Sequence, residues 1–191
     1  QGRSINVEFN GELRPEQNKA LKELTKYDNG ILHAATAFGK TVVSSAIIAQ
    51  KKVNTLIILE SSALIEQWKD ALEKFLNIDE ELPSYKTKTG RVRKRKSLIG
   101  TLQGAHDSMT GIVDIAMVGS LCKKGEFHNL LNDYGLVLID ECHHAASDTI
   151  SNVLKEVKAK YVYGVTATPK RGDGLEKINY MLILNLQNYS T

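Results

Sequence analysis

The chain has 191 residues, 42% hydrophobic and 25% charged, which suits one α/β domain with a sizeable core. It has no apolar run as long as a membrane span needs, and the polar start Gln1-Gly2-Arg3-Ser4 does not resemble a signal peptide, so a membrane protein is excluded and a cytoplasmic location is expected. Net charge is only +3, and the two cysteines, Cys122 and Cys142, stand in no metal-ligand spacing and are expected as reduced thiols.

Leu13-Arg14-Pro15-Glu16-Gln17 opens a helix predicted near 15–26, with Pro15 at its first position. Gln17 carries both a donor and an acceptor, the pair needed to read one adenine edge, although a helix start with an exposed glutamine needs no ligand. The turn Asn29-Gly30 leads to a strand near 30–36, and a helix is predicted near 40–51. Between them runs Ala34-Ala35-Thr36-Ala37-Phe38-Gly39-Lys40-Thr41, which departs from GxxxxGK[ST] only in carrying Ala34 at the first glycine.

Leu56-Ile57-Ile58-Leu59 marks a strand near 55–60, followed by a helix near 62–76 that holds the only tryptophan, Trp68, assigned to its apolar face. Pro83 through Thr110 is rich in Lys, Arg, Gly, Ser and Thr and is expected to hold the longest loop. Within it Lys86, Lys88, Arg91, Arg93, Lys94, Arg95 and Lys96 put seven positive charges in eleven residues, while the rest of the chain has 18 basic and 22 acidic residues. Such a run either meets polyanions, with salt-sensitive contact to nucleic-acid phosphates, or is a solvated loop that repels itself.

Further strands are predicted near 112–118, 136–141 and 161–166, with a helix near 147–158; Met181 to Thr191 reads as a last strand or the start of a linker. No internal repeat is present. Alternating strands and helices, with strand cores as apolar as Leu136–Ile139, argue for a parallel sheet covered on both faces.

Chemistry concentrates in two stretches. Where a strand turns into a helix, the backbone N–H groups of Ala35, Thr36, Ala37, Phe38 and Gly39 and the helix's positive end can converge on phosphate oxygens. Lys40 then meets the β/γ-phosphates and Thr41 offers a hydroxyl to Mg²⁺. A hundred residues on, Leu136-Val137-Leu138-Ile139-Asp140-Glu141-Cys142-His143 delivers two carboxylates at the carboxyl end of a strand, where open parallel sheets put their ligands. Asp140 suits the metal and Glu141 a water. The two stretches together read as a nucleoside triphosphatase site that uses Mg²⁺.

With these residues, and with Asp114–Leu121 and Thr166-Ala167-Thr168-Pro169 in the same order, the chain resembles the first RecA-like motor domain of a superfamily 2 DExH helicase or translocase. It is most similar to members in type III restriction enzymes and repair helicases, which share the Thr-Ala-Thr-Pro motif. The resemblance implies a RecA-like three-layer sandwich with a central, mainly parallel sheet, residues 1–191 forming one ATP-binding lobe. It implies adenine contact at Arg14 and Gln17, catalysis by Lys40, Asp140 and Glu141, and coupling of nucleotide to nucleic acid through His143, Thr166 and Thr168. Ser61, Ser62, Gly104 and Ser120 match the nucleic-acid contacts, although Glu60-Ser61-Ser62 lacks the Pro-Thr or His-Arg that relatives often carry.

The implied partners are nucleic acid, with DNA favoured over RNA, and a second RecA-like lobe, without which this piece should hydrolyse ATP poorly. The alternative is a nucleotide-switched nucleic-acid-binding scaffold without unwinding activity. A metabolic kinase has no need of the DECH and TAT residues. Zinc at Cys142, His143 and His144 is disfavoured because adjacent side chains seldom converge on one tetrahedral ion.

Overall fold

The computed structural model describes residues 2–34, 36–141 and 148–166. Ala35, Cys142, His143, Thr168 and the ending at 181–191 lie outside them. The chain begins with β1 (Val7–Phe9), α1 (Pro15–Leu24), β2 (Asn29–His33), α2 (Lys40–Lys51), β3 (Thr55–Leu59) and α3 (Ile65–Phe75). It continues with β4 (Leu76–Ile78), β5 (Ser84–Lys86), β6 (Val92–Lys94), β7 (Ile99–Gln103), β8 (His106–Asp107), β9 (Val113–Met117) and α4 (Val118–Leu121). Then come β10 (Cys122–Lys123), β11 (Glu126–Phe127), β12 (Leu136–Asp140), α5 (Asp148–Glu156) and β13 (Tyr161–Thr166).

Seven strands form the central sheet in the order β2-β13-β12-β3-β9-β7-β8, parallel throughout except for β8 at one edge. All five residues of β3 and of β12 are buried. Side chains of a strand alternate between faces, so a strand covered on both sides is apolar at every position. Accordingly Ile57, Leu59, Leu136 and Leu138 enter one core with Val43 and Ile47 of α2 and Trp68 and Leu72 of α3. Leu56, Ile58, Val137 and Ile139 enter the other, with Leu121 of α4 and Ile150, Val153 and Leu154 of α5. Helices therefore cover both faces, and the expected three layers are present.

The expectation that Pro83 to Thr110 holds the longest loop is corrected: the connection at 128–135 is longer than any gap between elements in that segment. This segment contains the hairpin β5–β6, the sheet strand β7 and the edge strand β8. Strand β7 escaped notice because Gly100 and Thr101 break its apolar run, and Gly100 has a packing reason to be there. A Cβ at that position would lie 2.3 Å from Asp114 Oδ1 and 2.5 Å from the Ser108 carbonyl oxygen. Asp114 is fully buried on β9, where its carboxylate accepts from the Thr110 and Gly111 N–H groups at 2.8 and 2.7 Å and from the Tyr134 hydroxyl at 2.5 Å. Burial pushes the Asp114 carboxyl up, against the pull of these donors.

Every parallel strand runs the same way, so the carboxyl ends of β2, β13, β12, β3, β9 and β7 share one edge of the sheet. Among the described residues, the candidate site positions gather along it.

Candidate active site

Chain direction reverses sharply after β2. A 3₁₀ turn spans Thr36–Phe38, and Gly39, at φ 85°, enters α2 through a left-handed conformation that glycine adopts without a steric penalty. No side chain caps the start of α2 at Gly39. Its first N–H groups and the positive end of its dipole are thus available to an anion.

Arg14, which precedes the first helix, and Gln17 in its first turn brace this loop. The Arg14 guanidinium donates to the carbonyls of Ala37 and Phe38 at 3.2 and 2.8 Å, and the Gln17 amide donates to Phe38 at 2.7 Å. Gln17 Oε1 accepts the Arg14 N–H at 2.9 Å, half of a capping box, and the glutamine is buried. In a trans peptide the N–H points opposite to the C=O. Tying the carbonyls of Ala37 and Phe38 to α1 therefore turns the N–H groups of Phe38 and Gly39 away from it. A Cβ on residue 39 would stand 2.7 Å from the Gln17 amide nitrogen, so glycine is also required by this close approach.

Across the edge, β12 delivers the acidic pair. Lys40 Nζ lies 2.7 Å from Glu141 Oε1 and 3.3 Å from Asp140 Oδ1, with the lysine and Asp140 side chains only 14% and 5% exposed. Burial by itself would lower the Lys40 pKa, but the two carboxylates outweigh it and hold the ammonium above its ordinary value. Glu141 sits at φ 53°, a left-handed conformation that costs a non-glycine residue about 1–3 kcal/mol and is characteristic of functional turns. Its N–H donates back to Asp140 Oδ1 at 2.8 Å.

Trp68 completes the arrangement, with its indole Nε1–H donating to Asp140 Oδ2 at 2.9 Å from a buried position on α3. The sequence placed this tryptophan in the core, where it is. The hydrogen bond was not foreseen, since it depends on how α3 lies over β12, a strand much later in the chain. The sequence reads Arg14 and Gln17 as base contacts; their grip on the loop carbonyls depends on how α1 packs against the loop.

Strand β13 lies between β2 and β12. Its last residue, Thr166, is buried, pairs with His33 in the register and accepts the Ala34 N–H through its carbonyl at 3.0 Å. Thr166 therefore stands between the loop and the acidic pair. Farther along the edge, Ser61 and Ser62 are exposed after β3. The Gly104 N–H, in the turn between β7 and β8, donates to Ser120 Oγ at 2.8 Å, and Lys123 Nζ donates to the Gly104 carbonyl. Gly104 and Ser120 are thus brought into contact.

Sheet, loop and facing charges together place the chain among RecA-like α/β domains of the P-loop nucleoside triphosphatase class. Its sequence narrows this further: the chain belongs to the family described as type III restriction enzyme, res subunit, whose sequence model matches residues 10–171. It is 32% identical over 172 residues to the DNA 3'-5' translocase XPB2 of Sulfurisphaera tokodaii, a match that covers 90% of this chain and 34% of that protein. It is 27% identical over 176 residues to the DNA 3'-5' helicase XPB of Kineococcus radiotolerans, covering 90% of this chain and 28% of that one. In fold it is similar to the Sulfolobus solfataricus SWI2/SNF2 ATPase core solved in complex with dsDNA, with a TM-score of 0.67, 17% identity, and coverage of 99% of this chain and 38% of that one. The chain therefore spans about a third of the length of these relatives. None of its described helices is long and apolar enough to cross a membrane.

Proposed function

We propose that this chain is the N-terminal ATP-binding lobe of an ATP-driven nucleic-acid helicase or translocase, residues 1–191 forming a single lobe. The observation that carries the reading is Lys40 Nζ, placed 2.7 and 3.3 Å from the carboxylates of Glu141 and Asp140 although a hundred residues separate them.

Phosphoryl transfer asks little covalent chemistry of a protein and much positioning and charge stabilisation. The backbone N–H groups at 35–39 and the start of α2 hold the β-phosphate, and Arg14 and Gln17 keep that loop in shape while reading the adenine edge. Lys40 stabilises charge on the γ-phosphate. A phosphate oxygen that takes over the ammonium breaks its contact with Glu141, and the Glu141 carboxylate orients the attacking water and accepts its proton. Thr41 and Asp140 offer one hydroxyl and one carboxylate, a hard-oxygen set that would hold Mg²⁺, and the ion would supply charge neutralisation at the phosphates. Thr166, between loop and acidic pair, with His143 and Thr168, carries the nucleotide state towards the nucleic-acid face. That face is assigned to Ser61, Ser62, Gly104 and Ser120, where the Ser120 hydroxyl keeps its own proton to donate to a phosphate. DNA is proposed over RNA on the names of the two XPB relatives, although relatives named as ATP-dependent RNA helicases match as well.

The test is ATP turnover by the protein as encoded in full, with and without single- and double-stranded DNA and RNA. Nucleic acid should stimulate hydrolysis. Glu141→Gln should keep nucleotide affinity within a few-fold and lower turnover by about 10²-fold or more. Parent-level turnover in that variant would remove Glu141 from the mechanism. ATP-dependent nucleic-acid affinity with no turnover in the parent protein would favour the scaffold reading instead.

A further inference from the structure

The basic run that the motor site leaves unexplained is a built element. Strands β5 and β6 pair with Ser84 opposite Lys94, Tyr85 opposite Arg93 and Lys86 opposite Val92. The turn between them is defined: Gly90 donates to the Thr87 carbonyl at 2.9 Å, Thr87 donates to Arg91 at 2.8 Å, and Gly90 takes φ 81°. This is a type I turn closed by a left-handed residue, a common three-residue hairpin connection.

Its seven cations divide into two groups. Arg95 works inward. Its N–H donates to the Pro83 carbonyl at 2.8 Å, its guanidinium stacks 4.2 Å from the centre of the Tyr85 ring, and it donates to the Asp107 carbonyl at 3.1 Å. Asp107 in turn is bonded to His128 at 2.9 Å, so the hairpin is fixed to the free edge of the sheet at β8. The other six, Lys86, Lys88, Arg91, Arg93, Lys94 and Lys96, are exposed, and among the described residues none makes an ion pair with a carboxylate. No acidic residue occurs between Ser84 and Lys96. Like charges on one small ribbon repel each other, which disfavours the bare protein and favours any bound polyanion.

We propose that the β5–β6 hairpin is an accessory site for the phosphate backbone of duplex nucleic acid, adjoining the face marked by Gly104 and Ser120. The position supports this, because Asp107, the hairpin's anchor, closely follows Gly104 in the β7–β8 turn. The chemistry selects a duplex. Single strands are gripped by aromatic rings that stack on bases, and the one aromatic side chain of the hairpin, Tyr85, is covered by Arg95. What remains is cationic charge held at strand spacing, suited to the densest array of phosphates available, about one charge per 1.7 Å of duplex axis. The contact reads no sequence. It rests on the motor reading above and adds a second point of grip to it.

The experiment is a salt titration of binding to a blunt duplex, in the full-length protein and in a variant carrying Lys86→Gln, Lys88→Gln, Arg91→Gln, Arg93→Gln and Lys94→Gln. These positions are exposed and Arg95 and Tyr85 stay, so the thermal midpoint should not fall and the ATP turnover without nucleic acid should not change. The slope of log K against log salt should become shallower by about 3–4, at about 0.9 for each phosphate that the protein no longer neutralises. Affinity at low salt should fall at least tenfold for duplex and less for single strands. A second variant that exchanges lysine for arginine and arginine for lysine at the five positions should keep the parent slope, since charge alone is used. An unchanged slope in the glutamine variant, with nucleic-acid-stimulated ATP turnover intact, overturns the hairpin proposal alone and leaves an acidic protein as its partner. Absence of any salt-dependent nucleic-acid binding by the parent protein overturns the motor reading along with it.

Discussion

Asp140 is held on both sides. One carboxylate oxygen faces Lys40 and the Glu141 N–H, while the other accepts the indole N–H of Trp68. A buried carboxylate without its donors has an orientation that any neighbour can perturb, and a metal ligand must keep one orientation. Trp68 is therefore a positioning residue in the proposed mechanism. Trp68→Phe retains most of the packing and removes only the donor. It should cost about 1.5–3 kcal/mol of stability, the range for a hydrogen bond to a charged group. The more specific readout is the Mg²⁺ concentration needed for half-maximal ATP turnover, which should rise while affinity for the nucleic acid stays the same. If the melting temperature falls and the Mg²⁺ dependence does not move, Trp68 is a core residue and nothing more. Trp68→Ala cannot make this distinction, because its cavity would destabilise by about 3–5 kcal/mol whatever the indole does.

Elements differ in how openly the sequence declares them, and the reason is burial. Strands β3 and β12 are covered on both faces, so Leu56-Ile57-Ile58-Leu59 and Leu136-Val137-Leu138-Ile139 stand out as unbroken apolar runs. The loop at 34–41 and the Asp140-Glu141 pair could be recognised because their chemistry is local in sequence. Strand β7 is central enough to bury Ile99 and Leu102, yet it reads as loop, since its pattern is set by a neighbour that the sequence does not place beside it. That neighbour is Asp114, whose carboxylate occupies the space a side chain at residue 100 would need. The hairpin β5–β6 is harder still to read, since it has almost no apolar face and is held by one arginine, Arg95, against Tyr85 and Asp107. Gly100→Ala tests the account of β7. The new methyl would meet a backbone carbonyl that cannot rotate away, and overpacking of this kind destabilises by about 2–3 kcal/mol. Gly119→Ala, where an added Cβ meets nothing within 4 Å, should stay within about 0.5 kcal/mol of the parent. Urea denaturation of the two variants gives the comparison, and equal midpoints would remove the steric explanation for Gly100.

For the whole molecule the question is how much of the proposed motor this chain contains. The cations near the phosphate loop among the described residues are Lys40 and Arg14, and both are engaged: Lys40 by two carboxylates, Arg14 by the Ala37 and Phe38 carbonyls and by Glu16 at 3.3 Å. Among the described residues, Lys40, Asp140 and Glu141 carry one positive charge against two negative ones, a balance that favours a triphosphate accompanied by Mg²⁺ over a bare one. Nothing in that set supplies the additional arginine that P-loop motors bring to the γ-phosphate in cis or in trans. The chain spans about a third of the length of its relatives, which leaves room for such a group elsewhere in a longer protein. The 191-residue chain by itself should therefore bind ATP weakly, should lose that binding when Mg²⁺ is chelated, and should turn it over at least about 10³-fold more slowly than the protein as encoded in full. Steady-state ATP turnover of both polypeptides, each with saturating duplex, measures the ratio. Turnover by the isolated chain within tenfold of the longer protein would mean that the groups seen between Lys40 and Glu141 suffice for hydrolysis, and that no arginine from outside this chain is needed for it.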